Sequence, residues 1–420
     1  MPSSRSAASI VSSVARTVSA LGALLGVAAA QGGGVAVTEL GVPGNATALA
    51  GWPAAALDAS TVYLNPAGMT RLSRTHFQSG ISAMYSTIEF SPGPGTTNLG
   101  GGGGNAGGLL FGGPVFLSHS LSEDARLGVS LTVPYAVALD YGDDWVGRTF
   151  ARETGLAVLD LQPAFATRLG DSGWSVGLGV HLQYAALRQK VAVDRSAMSL
   201  PDAELELDQD GFDAGLSLGA LWEVTERTRF GIHYRSPVSH DLSGSRPAAA
   251  GLTAATNSDL KLPQLVGFGG YHALSDRWSV LADVGWSEWS AFDKAPLHVE
   301  INPAVVGAIP RRLADTWRVG VGLHYRPVER WLLQAGFAFD SAAANDRQRT
   351  PDLPLDRQWR FSAGAEWTVN PSARMGLNYT FADLGSNALN VQFSPSTGRV
   401  VGDYDRFQSH AVAFWFDWSF

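Results

Sequence analysis

No cysteine occurs anywhere in the 420 residues, so neither disulfides nor thiolate metal sites can hold this fold together. Charge is also scarce: Asp, Glu, Lys and Arg make up 16% of the chain, with a net of −8. A surface without basic excess is poorly matched to phosphate backbones, which argues against nucleic acid as a partner. Despite the low charge, no stretch beyond the N-terminus reaches the roughly 18 consecutive apolar residues of a membrane helix. The nine histidines fall at no metal-ligand spacing, and the glycines at 100–104 are not followed by the Gly-Lys-Ser or Gly-Lys-Thr of a phosphate cradle. What the chain does have is 48 glycines and 13 tryptophans dispersed among short apolar alternations.

The first thirty residues read as an export signal. Arg5 and Arg16 supply positive charge, Val18 to Val27 form a short apolar run, and Ala28-Ala29-Ala30 gives the small-residue cleavage pattern. The run is too short for an anchor and is followed by Gly32-Gly33-Gly34, so a cut near Ala30 and Gln31 is expected. The resulting division is a signal at 1–30, a non-alternating Ala/Gly/Pro-rich segment at 31–74, and an alternating region at 75–420.

That last region repeats a period of two. From Trp174 to Tyr184 every even residue is large and apolar and every odd one small or polar, as in a strand with one apolar and one polar face. The pattern returns at Phe230–Arg235, Trp278–Ser287, Trp317–Arg326, Trp331–Asp340, Trp359–Trp367 and Met375–Phe381. Aromatic residues bracket the apolar stripes eight or ten residues apart, as at Trp174/Tyr184, Trp278/Trp286, Trp317/Tyr325 and Trp359/Trp367. A tilted transmembrane strand needs roughly 9–11 residues, and two aromatic girdles mark its interfaces. The opposite face carries His181, Gln183, His233, Asp283, Arg318, His324, Arg360 and Glu366, a set suited to a wet lumen and not to a dry sandwich core.

Six short polar turns alternate with seven long irregular segments, which predicts about fourteen antiparallel strands with both termini on the short-turn side. Bacterial outer-membrane barrels are built in this way, with short periplasmic turns and long external loops. The long segments are placed at 91–108, 140–151, 194–207, 241–258, 291–311, 341–355 and 384–406. Phe414, Phe416, Trp418 and Phe420 share one face of the last strand, resembling the signal by which such barrels are recognised for insertion. The fold class is therefore all-β: a transmembrane antiparallel barrel in the bacterial outer membrane.

Ser118-His119-Ser120 does not make a catalytic triad, since the serines and the histidine point to opposite faces and no orienting partner is recognisable. Asp202, Glu204, Glu206, Asp208 and Asp210 fall on one face and read as a solvated external strand.

The segment before the barrel resembles the plug of the FadL family of outer-membrane long-chain fatty acid and aromatic-hydrocarbon transporters. The run Asp58-Ala59-Ser60-Thr61-Val62-Tyr63-Leu64 leads into Asn65-Pro66-Ala67, the family's hallmark, just before the first strand. Tyr234-Arg235-Ser236-Pro237-Val238, Leu262-Pro263, Trp286-Ser287-Glu288-Trp289-Ser290 and Ala338-Phe339-Asp340 resemble further family motifs. The resemblance implies a monomeric fourteen-stranded barrel with its lumen blocked by the N-terminal plug, or hatch. It also implies passive uptake of a hydrophobic small molecule without cofactor or catalysis, and sideways exit through a kink in the third strand. Outer-membrane lipid, lipopolysaccharide and the barrel-assembly machinery are the other implied partners. An aromatic-hydrocarbon channel and a structural or adhesive barrel are the alternatives.

Three sets of residues carry these expectations. Asn65, Pro66 and Ala67 form the plug motif. Val133, Pro134 and Tyr135 mark the kink, because proline cannot donate to a strand ladder. Arg195 and Arg312 are candidates for a ligand headgroup: counted from Tyr184 and Trp317, both project inward at external strand ends, where the family's pocket has basic residues.

Overall fold

The computed structural model describes residues 36–37, 41–193, 195, 199–247, 253–294, 300–301, 304–305, 312–346, 348–385, 387–392 and 398–420. The expected export signal and its cut lie outside the described residues.

Fourteen antiparallel strands close into a barrel. They are β1 (His76–Pro92), β2 in two pieces, β2a (Gly108–Gly112) and β2b (Val115–Ser120), β3 (Ala125–Asp140), β4 (Glu153–Arg168) and β5 (Trp174–Val193). Next come β6 (Ala203–Thr225), β7a (Thr228–Arg235) with β7b (Val238–Pro247), and β8a (Thr253–Leu262) with β8b (Leu265–Ala273). β9 (Trp278–Ser287), β10 (Thr316–Val328), β11 (Trp331–Asp340), β12 (Gln358–Asn370), β13 (Ala373–Asp383) and β14 (Val400–Ser419) complete the wall. Pairing from His76↔Ser419 to Pro92↔Gly402 seals β14 onto β1, which satisfies the backbone groups that hydrocarbon cannot.

Strand parity assigns the faces. Along β5, Trp174, Val176 and Leu178 are exposed while Ser175, His181 and Gln183 are buried. The outward aromatics meet directly across strands: Trp174 stacks on Trp222 with centroids 5.3 Å apart, and Trp278 on Tyr325 at 4.2 Å. Phe414, Phe416, Trp418 and Phe420 are all exposed on the wall, whereas Trp415 between them is fully buried.

Two expectations need correction. The inward polar residues are not bathed in an open lumen; they are buried, and several pair with one another. Arg318 binds Asp283 at 3.2 Å and Asp340 at 3.5 Å, and Arg360 also pairs with Asp340. The external segments at 241–258 and 384–406 are largely strand: β7b and β8a pair from Val238↔Leu262 to Pro247↔Thr253, and β14 already begins at Val400. Beyond the lipid the outer face meets water and the buried inner face mixes His240, Thr256 and Ser258 with Leu242 and Leu260, so the ladder continues without the apolar alternation that marks it in sequence.

The acidic ladder runs from Asp202 into the external part of β6, and three of its members pair with cations. Arg148 binds Asp202 at 2.8 Å, Arg152 binds Glu204 at 2.6 Å, and Arg188 binds Glu206 at 2.5 Å.

Candidate functional site

Residues 41–72 fold into short turns inside the barrel: α1 (Trp52–Ala55), α2 (Thr61–Leu64) and two 3-10 turns at Pro43–Thr47 and Pro66–Arg71. Such short elements cannot satisfy their own ends, so the wall does. Asn378 donates to the Val42 carbonyl at 2.7 Å, the Gly51 amide donates to Asp283 at 2.9 Å, and Gln162 donates to the Val62 carbonyl at 2.8 Å. Wall glycines let the plug backbone approach: a Cβ on Gly231 would strike the Pro53 carbonyl, and one on Gly336 the Thr47 carbonyl.

Asn65 is the most connected side chain of this segment. Its Oδ1 accepts from the Ala67 amide at 3.2 Å, capping the following turn, and its Nδ2 donates to the Pro53 carbonyl at 2.6 Å. The same Nδ2 reaches the carbonyls of Ala220 on β6 and Ile232 on β7a, at 3.2 and 3.4 Å. Pro66 and Ala67 are buried beside it. At the short-turn end Arg374 donates to the Leu57 carbonyl at 3.2 Å while pairing with Asp417 at 3.2 Å and Glu366 at 3.4 Å. A cavity of about 420 Å³ opens there, between the plug's underside and the short turns around Arg227 and Arg277.

Above the plug the interior turns apolar. One continuous cluster runs from Tyr135, Val137, Leu156 and Val158 through Leu187, Leu260 and Trp289 to Phe292 and Leu353. External loops roof it: Tyr141 stacks on Trp145 at 3.8 Å and its hydroxyl meets that of Tyr404 at 2.7 Å. A cavity of about 20 Å³ remains among Val137, Leu156, Leu187, Leu260, Phe292 and Leu353, so an entering chain must displace side chains, with Phe292 and Leu353 on loops best able to yield.

Between plug and chamber lies a polar layer. His181 Nδ1 and Gln183 Nε2 both meet Asp160 Oδ2 at 2.8 Å, and His240 Nε2 meets Gln183 Oε1 at 3.1 Å. Arg235 donates to the Tyr63 hydroxyl at 2.5 Å and sits 4.1 Å from the centre of the Tyr63 ring. Burial raises the Tyr63 phenol above its ordinary range, so it stays neutral beside the guanidinium.

The barrel wall is broken beside this layer. β2b pairs with β3 only from Val115↔Leu131 to Ser120↔Arg126, and β2a pairs with β1 alone. Among the described residues, no strand covers the β2 side of β3 beyond Leu131. On its other side β3 bulges: Thr132 faces Asp160 and Tyr135 faces Val158, so Val133 and Pro134 share one opposing residue. Plug-proximal Ala36 bridges to Tyr135, and Asp140 closes the far end of the seam through the Ala106 carbonyl at 2.9 Å.

The sequence candidates are thus separated in space. Pro134 and Tyr135 lie at the seam and Tyr135 enters the chamber cluster, while Val133 is half-buried. Asn65-Pro66-Ala67 sits lower, against β6 and β7a. Arg195 donates to the Pro201 carbonyl at 2.9 Å within an external loop, and Arg312 is exposed; neither side chain belongs to the chamber. Inward parity cannot be carried past Val193, where β5 ends. Arg235 was missed as a candidate, although the outward Phe230 and Ile232 place Arg229, His233 and Arg235 on the inner face.

A closed, internally plugged antiparallel barrel with an apolar chamber is the architecture of an outer-membrane transport protein. The chain belongs to the family described as outer membrane protein transport protein (OMPP1/FadL/TodX), whose model matches residues 23–419. Among its relatives, a putative outer membrane protein of Neisseria meningitidis serogroup B is 26% identical, covering 95% of this chain and 97% of that protein. The long-chain fatty acid transport protein of Escherichia coli K12 is 23% identical, with 85% of this chain and 89% of that protein covered. A crystal structure of a Pseudomonas aeruginosa FadL homologue superposes with a TM-score of 0.84 at 22% identity, over 92% of this chain and 100% of that one. The Pseudomonas putida toluene transporter TodX gives 0.67 at 16% identity, over 93% and 99%.

Proposed function

We propose that this protein takes up a long-chain fatty acid or related hydrophobic molecule from outside and releases it sideways into the outer membrane. The observation that carries this reading is the seam between β2a and β3, which adjoins the apolar chamber through Tyr135. Each methylene moved from water into such a chamber gains about 0.8 kcal/mol, so a long acyl chain has ample drive to enter and none to leave into water. A lateral opening resolves this, because the bilayer offers the same apolar solvent. Val133, Pro134 and Tyr135 line the exit, and Asn65-Pro66-Ala67 holds the plug that denies a straight aqueous path. Arg195 and Arg312 stay as external contact points for an incoming headgroup. Closure of β14 on β1 confines the unpaired strand edge among the described residues to the seam between β2a and β3, which supports a monomer. Lipid and lipopolysaccharide surround it, and the exposed aromatic face of β14 suits recognition by the assembly machinery.

The family's relatives include both fatty acid and toluene transporters, and the chamber's apolar lining suits either class of molecule. Extraction of the purified barrel followed by mass spectrometry tests the choice. Long-chain acids at near one per protein, together with faster uptake of labelled oleate by cells producing the barrel, support the reading. Extracts free of hydrophobic ligand, with no gain in uptake, would overturn it and favour a structural or adhesive barrel.

A further inference from the structure

The polar layer under the chamber is incompletely satisfied. Asp160 Oδ1, His181 Nε2, Arg235 Nε and His240 Nδ1 are buried without a hydrogen-bond partner among the described residues. Buried polar atoms are normally paired, and an orphan destabilises the fold unless something outside the chain completes it. Arg235 is the most exceptional member. It donates to the hydroxyl and, at 3.4 Å, the carbonyl of Tyr63, both neutral, and among the described residues it forms no ion pair, although the charge of Asp160 reaches it. The one acidic group of the layer, Asp160, is held by His181 and Gln183 through a single oxygen. A buried cation whose close partners are neutral phenols and a carbonyl attracts an anion.

The location says what the rest of that anion is. The Tyr135 hydroxyl lies within hydrogen-bonding reach of Arg235, and the Tyr135 ring packs edge-on against Trp289, 6.2 Å away, inside the apolar cluster. A small inorganic anion would fill the layer but leave the chamber above it unused.

We propose that Arg235 is the anchor for a carboxylate, with the Tyr63 phenol as its placeholder, so that the transported molecule is an amphipathic acid and not a plain hydrocarbon. This rests on the uptake reading above and narrows it. An acyl tail fills the chamber toward Phe292 and Leu353, and the carboxylate exchanges with the Tyr63 hydroxyl on the guanidinium. Arg235 is then the specificity residue at the chamber floor, beside the seam.

The test compares oleate, oleyl alcohol and octadecene on the purified full-length barrel by equilibrium binding. The parent should hold oleate about tenfold to a hundredfold more tightly than the alcohol, the weight of one charge-assisted hydrogen bond. Arg235→Gln should lower oleate binding to the level of the alcohol while leaving octadecene unchanged, and Arg235→Lys should restore part of the preference. Tyr63→Phe, which removes the competing hydroxyl, should bind oleate more tightly than the parent and decides the matter alone if Arg235→Gln fails to assemble. An unaltered preference for oleate in folded Arg235→Gln, or unaltered or weaker oleate binding in Tyr63→Phe, would overturn the assignment and make the layer purely structural. Octadecene bound as well as oleate by the parent would also overturn it, leaving uptake of hydrophobic molecules intact. Binding of none of the three would overturn the uptake reading itself.

Discussion

The amide of Val37 donates a 2.8 Å hydrogen bond to the carbonyl of Pro134. Proline costs the third strand a donor, and the bulge beside it turns a carbonyl away from the wall. In a bilayer that carbonyl cannot stay unpaired, and the N-terminal segment of the chain supplies the missing partner. Plug and seam are therefore joined at one point, where β3 has already lost its neighbour strand.

The face assignment predicts a strong position dependence for charge on β5. Leu178 and Val193 are equally exposed, at 44% each, but Leu178 lies in the apolar stripe and Val193 at the long-loop end. Leu178→Arg should cost about 2–4 kcal/mol of folding stability in lipid vesicles, and Val193→Arg close to nothing. Equal losses would mean that the membrane band has been placed wrongly.

Asn65 ties the plug turn to two wall strands, so Asn65→Ala leaves the Pro53, Ala220 and Ile232 carbonyls to find other donors. The expected loss is roughly 1–3 kcal/mol, confined to plug docking. It should appear as faster protease cleavage within residues 41–72 of an otherwise intact barrel. Removing residues 31–64 should go further and raise ion conductance in planar bilayers; conductance equal to the parent's would show that the plug does not close the lumen.

Asp58 gives plug docking a pH dependence. Burial raises its carboxyl above the ordinary value of 3.8, with the Ser60 hydrogen bond and the charge of Arg374 opposing the rise. An acid that holds its proton more tightly when docked contributes stability that is fully present below the ordinary value and is lost as pH rises through the docked one. Protease protection of the plug should therefore increase on mild acidification, and Asp58→Asn should remove that part of the response. A variant with the parent's pH profile would assign it to other groups.

The membrane wall was legible in sequence because lipid enforces a strict period of two: Trp174 to Tyr184 could be given faces residue by residue. Where lipid ends, that rule ends too, and the β7b–β8a hairpin was therefore read as loop. Asn65 and Pro134 stood out by residue type, proline in a strand being chemically conspicuous. The interruption of β2 at Gly113-Pro114 carried the same kind of signal but falls between two short runs too brief to read as one strand. Arg235 was hidden differently. Its inward direction follows from parity, but its lack of an ion pair among the described residues depends on Asp160 being held by His181 and Gln183, contacts between β4 and β5 that no local pattern encodes.

Lateral release can be tested by a reversible closure of the seam. Cysteines at the exposed Leu109 on β2a and the half-buried Ala138 on β3, in a chain with no cysteine of its own, are to be joined by a reducible cross-linker matched to their separation. Uptake of labelled oleate should stop once the link forms and return on reduction, with barrel assembly the same throughout. Oleate entering at the parent's rate through a barrel whose cross-link is confirmed would contradict lateral release and point to passage through the lumen.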